Sequence, residues 1–259
     1  MTSAPVPRCT LVGAGPGDPE LLTLKAAKAI AHATVLFVDD LVNPAVLEHA
    51  APDARIVQVG KRGGCKSTPQ AFIHKLMVQA VREGENVVRL KGGDPFIFGR
   101  GGEEVEHLRA EGIEVDVVNG ITSGLAGLSS LGAPLTHRDH AHGVLFVTGH
   151  AKPGDAGPDW AALSHAARQA KLTLVVYMGV SSLSAIESGL LQGLPASTPV
   201  AIVQDASLPR QRQALTTLGQ LQATMAREGL QSPSIIVVGD VVQGARAWQA
   251  QSTTARQAA

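Results

Sequence analysis

The sequence predicts an α/β protein of two lobes, and three observations lead to that class. Short β-branched runs alternate with helical stretches almost from the first residues, which is the pattern of βαβ units with much parallel sheet. A polar, turn-rich break, GAPLTHRDHAH at 132–142, separates one such series from a second. The length, 259 residues of which 44% are apolar, is enough for one large or two small domains with real cores. The expected organisation is a first lobe over residues 1–134, a second over 135–246, and a disordered polar tail over 247–259.

Taken in order, the first lobe has strand candidates at 10–12, 34–38, 55–59, 86–90 and 114–118. Between them the clearest helix runs over 68–83. Thr68 offers an N-cap, Pro69 fits the first turn, Phe72, Leu76 and Ala80 form a stripe at spacing four, and Gly84 stands just past the end. A second helix over 103–111 has acids in its first turn and Gly112 as its stop. The second lobe has strand candidates at 144–148, 172–178, 200–204, 213–217 and 234–238, with helices at 160–169, 183–192 and 218–228.

Composition narrows the function. Lys+Arg and Asp+Glu both number 22, so the basic excess of a nucleic-acid binder is missing. The two cysteines, Cys9 and Cys65, form neither a disulfide framework nor a zinc spacing and read as free thiols in a reducing compartment. Residues 1–8 carry no apolar signal region. The longest apolar stretch, around 172–180, is far short of the ~20 residues that span a bilayer. The expectation is a soluble, cytoplasmic protein without nucleic-acid or membrane partners.

Three glycine-rich motifs carry the chemistry. VGAGPGDP at 12–19 follows a strand, but a dinucleotide fingerprint needs Gly or Ala where Asp18 stands. GKRGGCKS at 60–67 nearly matches a phosphate-binding P-loop, yet Cys65 occupies the glycine position before Lys66. Its basic residues, Lys61, Arg62 and Lys66, still suit an anion. The third motif, VRLKGGDPFIFGRGGEE at 88–104, sets five glycines among Arg89, Lys91, Arg100 and three acids. Glycine pairs expose peptide groups that can grip a flat polar ligand, and Arg100 offers a planar fork for a carboxylate. His137, Asp139, His140 and His142 lack the spacing of a histidine metal helix, so no metal is expected.

These residues also carry a resemblance. GAGPGDPELLTLKA, VGKRGG, VVRLKGGDPFIFGRGGEE, GITS, PLTHRD and VTGH, in that order, resemble the uroporphyrinogen-III C-methyltransferase family of tetrapyrrole methylases. VVYMGV at 175–180, PRQR at 209–212 and IIVVGDVV at 235–242 extend the likeness over about residues 10–242. The resemblance implies a cofactor cleft between two α/β lobes, a homodimer, and S-adenosyl-L-methionine as cofactor, leaving as S-adenosyl-L-homocysteine. It implies cofactor contacts at Pro16, Gly92, Gly93, Asp94, Ile97, Thr122, Ser123, Met178 and Ala206, with acid/base positions at Asp39 and Lys61. Two positions depart from the family pattern: Asp40, where Arg or Ala is usual, and Asn119, which replaces a Pro before GITS.

The implied reaction is C-methylation of uroporphyrinogen III at two ring carbons, giving precorrin-2. The substrate's eight carboxylates need a basic cleft, for which Arg62, Arg100 and Arg138 are the candidates, with Lys61 and Lys91 as additions. Arg100 is expected close to the reacting ring, as a catalytic residue. With no dehydrogenase-chelatase or synthase motif beside these, methylation alone is expected. The competing readings are a later precorrin methyltransferase, another tetrapyrrole methylase such as diphthine synthase, and a non-catalytic regulator that binds the same cofactor. The residues leave open whether the product feeds sirohaem, cobalamin or haem d1.

Overall fold

The computed structural model describes residues 8–60, 69–151, 154 and 157–246. Lys61, Arg62, Cys65, Lys66, Thr68 and the tail over 247–259 lie outside the described residues. The chain forms two compact units, Met1–Thr122 and Ser123–Ala259.

The first unit is built on a fully parallel sheet of β1 (Arg8–Gly13), β2 (Val35–Val38), β3 (Arg55–Gln58), β4 (Val87–Lys91) and β5 (Glu114–Val118), in the order β3-β2-β4-β1-β5. The central strands β2 and β4 are buried along their whole length, as sheets covered on both faces require. α1 (Leu24–Ala31) covers one face, packing Ala26 and Ile30 against Val12, Leu36, Val38, Val88 and Leu90. α2 (Gln70–Arg82) and α3 (Gly101–Ala110) cover the other, over Cys9, Leu11, Val35, Phe37 and Val87. This division follows from handedness. The chain steps from β1 outward to β2 and β3, then returns to β4 and on to β5. Right-handed crossovers in opposite directions place their helices on opposite faces.

Helix ends agree with the local sequence. Thr23 caps α1, its Oγ1 accepting from Ala26 N at 3.1 Å. Gly84 and Gly112 follow α2 and α3 at φ +86° and +76°, conformations that glycine adopts without strain. Pro69 precedes α2 without a side-chain cap. The inward face of α2 is Ile73, Met77, Ala80 and Val81, whereas Phe72 is 52% exposed. A stripe at strict spacing four drifts by about 40° per step on a helix of 3.6 residues per turn, so Phe72 rotates out while Ala80 stays in.

The second unit begins with α4 (Ser123–Ser129) and holds a mixed sheet in the order β6-β7-β10-β8-β9. β6 (Gly143–Thr148) and β7 (Leu172–Tyr177) are parallel. β10 (Ser234–Val238) runs antiparallel to β7 and to β8 (Pro199–Gln204), and β9 (Arg212–Thr217) antiparallel to β8. α5 (Trp160–Ala170), α6 (Leu183–Leu190) and α7 (Leu221–Arg227) contribute Trp160, Ala167, Ile186, Leu190, Leu221 and Met225 to its core. The parallel arrangement expected from the alternation thus holds throughout the first unit and only for one strand pair in the second. No described helix is long and apolar enough to cross a membrane.

Candidate functional site

In the first sheet the connections from β1 and β4 leave in opposite directions although the two strands are neighbours. Such a reversal opens a crevice at the carboxyl ends of the two strands, the usual ligand position in open parallel sheets. Both glycine-rich loops emerge there. Gly93 N donates to Gly15 O at 2.7 Å, Gly15 N to Gly93 O at 3.2 Å, and Ala14 N to Lys91 O at 2.8 Å. A Cβ on Gly13 would lie 2.5 Å from Gly120 N and 2.6 Å from Gly93 O, so three loops meet backbone to backbone. On the Gly93 side there is room: a Cβ at Gly93 (φ +66°) would meet only Thr122, at 3.7 and 3.9 Å. A main chain with space beside it fits a ligand that must approach peptide groups closely.

Asp94 braces this crevice. It is buried, and its Oδ1 accepts from Phe96 N at 2.8 Å. Its Oδ2 accepts from Asn119 Nδ2 at 3.0 Å and Gly120 N at 3.1 Å. The departure at Asn119 therefore supplies a donor to Asp94 that the usual proline would lack. Ahead of α3 the loop coils tightly, with Gly101 N donating to Pro95 O at 3.0 Å and with Phe98 and Arg100 in the left-handed region at φ 54° and 58°. Left-handed backbone at two non-glycine residues is strain of the kind held at functional sites. Arg100 is exposed and lies against Glu103, Nε donating to Oε1 at 3.0 Å, and this bond raises its affinity for its proton.

Beneath the loops lies a buried charge cluster. Arg89, 2% exposed, donates from Nε to Glu104 Oε1 at 3.0 Å and from Nη1 to the carbonyls of Phe37 and Leu90, both at 3.3 Å. Its Nη2 faces Asp39 Oδ2 at 3.6 Å. Glu104, 0% exposed, also accepts from Gln70 Nε2 at 2.9 Å, and its Oε2 stands 3.0 Å from Lys91 Nζ. Burial alone would raise the Glu104 carboxyl, but Arg89 and Lys91 outweigh it and hold it below the ordinary carboxylate range. Lys91 is less well served. Burial, then the Arg89 charge, depress its ammonium despite Glu104. Burial first, and Glu104 next, push the Cys9 thiol up to about 12.

The structure brings Pro16, Gly92, Gly93, Asp94, Ile97 and Thr122 to the loops of the first unit, around the paired glycines; Pro16 and Ile97 are half-buried there and Thr122 is buried. Asp39 follows directly on β2 with 37% of its side chain exposed. Ser123 opens α4 in the second unit. There Met178 is exposed at φ 52°, and Ala206 is buried between Asp205 and Ser207, both left-handed at φ 51° and 65°. Arg138 is exposed on the 137–141 turn. Among the described residues no group of His, Cys, Asp and Glu could hold a metal. Lys91, expected in the substrate cleft, points instead into the core, since β4 is covered on both faces and its cation must pair with Glu104. The Glu104–Arg89–Asp39 connection is not evident from the sequence pattern. Two cations in a strand buried on both sides demand a buried acid, but only the strand order shows that β4 is central.

Comparisons with known proteins identify the family. The profile of Tetrapyrrole (Corrin/Porphyrin) Methylases matches residues 8–222. A Pseudomonas aeruginosa protein named uroporphyrinogen-III C-methyltransferase is 53% identical over 234 residues, covering 90% of this chain and 93% of that one. Its namesake from Pseudomonas fluorescens is 51% identical over 245 residues, covering 94% of this chain and 96% of its own. A crystal structure of uroporphyrin-III C-methyl transferase from Thermus thermophilus complexed with S-adenyl homocysteine superposes with a TM-score of 0.75 at 41% identity, covering 91% of this chain and 93% of that one.

Proposed function

Since the chain belongs to the tetrapyrrole methylase family, we propose that it methylates uroporphyrinogen III at two ring carbons, using S-adenosylmethionine and yielding precorrin-2. The observation that carries this reading is the likeness to uroporphyrinogen-III C-methyltransferases along nearly the full length of both chains. The crevice at β1 and β4 supports it, with main chain open at Gly93 for a donor that needs no metal.

Bound S-adenosylmethionine supplies a methyl group activated on a sulfonium. The peptide groups of Gly92 and Gly93, with Pro16, Asp94, Ile97 and Thr122, would hold that donor. Asp94 acts through the main chain, because its carboxylate is occupied by Phe96, Asn119 and Gly120. The pyrrole carbon is itself nucleophilic, so the protein's tasks are alignment and exclusion of water. Arg100, Arg62 and Arg138 bind substrate carboxylates, Arg100 beside the reacting ring. Asp39 takes the proton that leaves the methylated macrocycle, with Lys61 as the second acid/base group. The enzyme works in the cytoplasm as a homodimer.

The test is direct. Purified protein with methyl-labelled donor and uroporphyrinogen III should place two labels on each macrocycle. No transfer would point to a regulator, and transfer only to an already methylated precorrin would point to a later enzyme of the family.

A further inference from the structure

We propose that Arg89 is a positioning residue for Asp39, tying that half-exposed carboxylate to the buried Glu104 beneath it. The inference deepens the reading of Asp39 as proton acceptor and rests on it.

Arg89 is too deeply buried to touch substrate. Its guanidinium is fully directed: Nε meets Glu104, Nη1 meets two carbonyls, and the Nη2 edge is aimed at Asp39. Phe37, one of those carbonyls, lies two residues before Asp39 on β2, so one rigid fork grips both the strand and the carboxylate at its end. Packing does not demand this. A buried ion pair is commonly matched or bettered by apolar residues of the same volume. The charge count also fits. Lys91 faces the second oxygen of Glu104, so two cations serve two carboxylates, and Arg89 keeps attraction for Asp39. The fork fixes where the Asp39 oxygens sit, and a proton acceptor displaced by an ångström can lose up to about a hundredfold in rate.

A double-variant cycle tests this. Arg89→Lys keeps the charge and loses the fork. It should lower kcat on the order of tenfold while the Kd for S-adenosylhomocysteine, measured by calorimetry, stays within about twofold. In an Asp39→Asn background the same change should cost nothing further. Should Arg89→Lys fail to fold, Glu104→Gln, which keeps the shape and loosens the fork, should show the same non-additivity. Equal losses with and without Asp39 would overturn the positioning role alone. A native protein that leaves uroporphyrinogen III unmethylated would overturn the functional reading, and the positioning role with it.

Discussion

Arg89 Nε and Glu104 Oε1 meet at 3.0 Å where neither side chain reaches solvent. Removing one partner strands a buried charge, so Glu104→Ala should cost about 3–5 kcal/mol at neutral pH. The pH dependence has a definite sign. The native Glu104 carboxyl titrates below its unfolded value, so its contribution is complete above the ordinary carboxylate range and is lost as pH falls through the native value. In urea unfolding, the gap between native protein and variant should narrow below about pH 4. A gap that stays constant down to pH 3 would contradict this account.

Gly13→Ala should damage both fold and site. Its Cβ would press on Gly120 N and Gly93 O, main-chain atoms that cannot swing aside. A loss of about 1–3 kcal/mol is expected, together with weaker S-adenosylhomocysteine binding. Thermal melts and calorimetry on the same sample check it. Unchanged affinity would detach the paired loops from the donor.

Arg100→Ala should reduce turnover by at least about a hundredfold while leaving donor affinity nearly intact, since its exposed side chain pairs with Glu103 and makes no bond to the paired glycines. Loss of donor binding instead would reassign Arg100 to the cofactor.

Cys9 should resist alkylation in the folded protein. It is buried, and its thiol is pushed up to about 12. Iodoacetamide at pH 8 followed by peptide mass mapping should find Cys9 unmodified until denaturant is added. Rapid labelling of the native protein would mean that β1 opens readily.

Much of this was legible in the sequence. All ten strands among the described residues fall within a residue or two of their expected places, because β-branched runs bounded by turn residues have few other uses. Neither α1 nor α4 can be bounded from the sequence. α1, LKAAKAIA, is short, and only Thr23 and the Ala26–Ile30 pair signal it. α4, SGLAGLS, is too rich in glycine and serine for its propensity to declare a helix. The glycine loops announced a ligand, but not that Gly13, Gly93 and Gly120 would touch, which is a matter of strand order. The inward turn of Lys91 was hidden for the same reason: only the sheet's central placement makes that cation a core residue.

The mutual peptide bonding of Gly15 and Gly93 bears on how such a scaffold diversifies. A joint made of backbone has no side-chain chemistry to retune, so single substitutions there subtract but do not redirect. New acceptor molecules must be accommodated by exchanging the groups that stand around the joint. The methyl-donating half of the machine can then be inherited whole while its clientele changes.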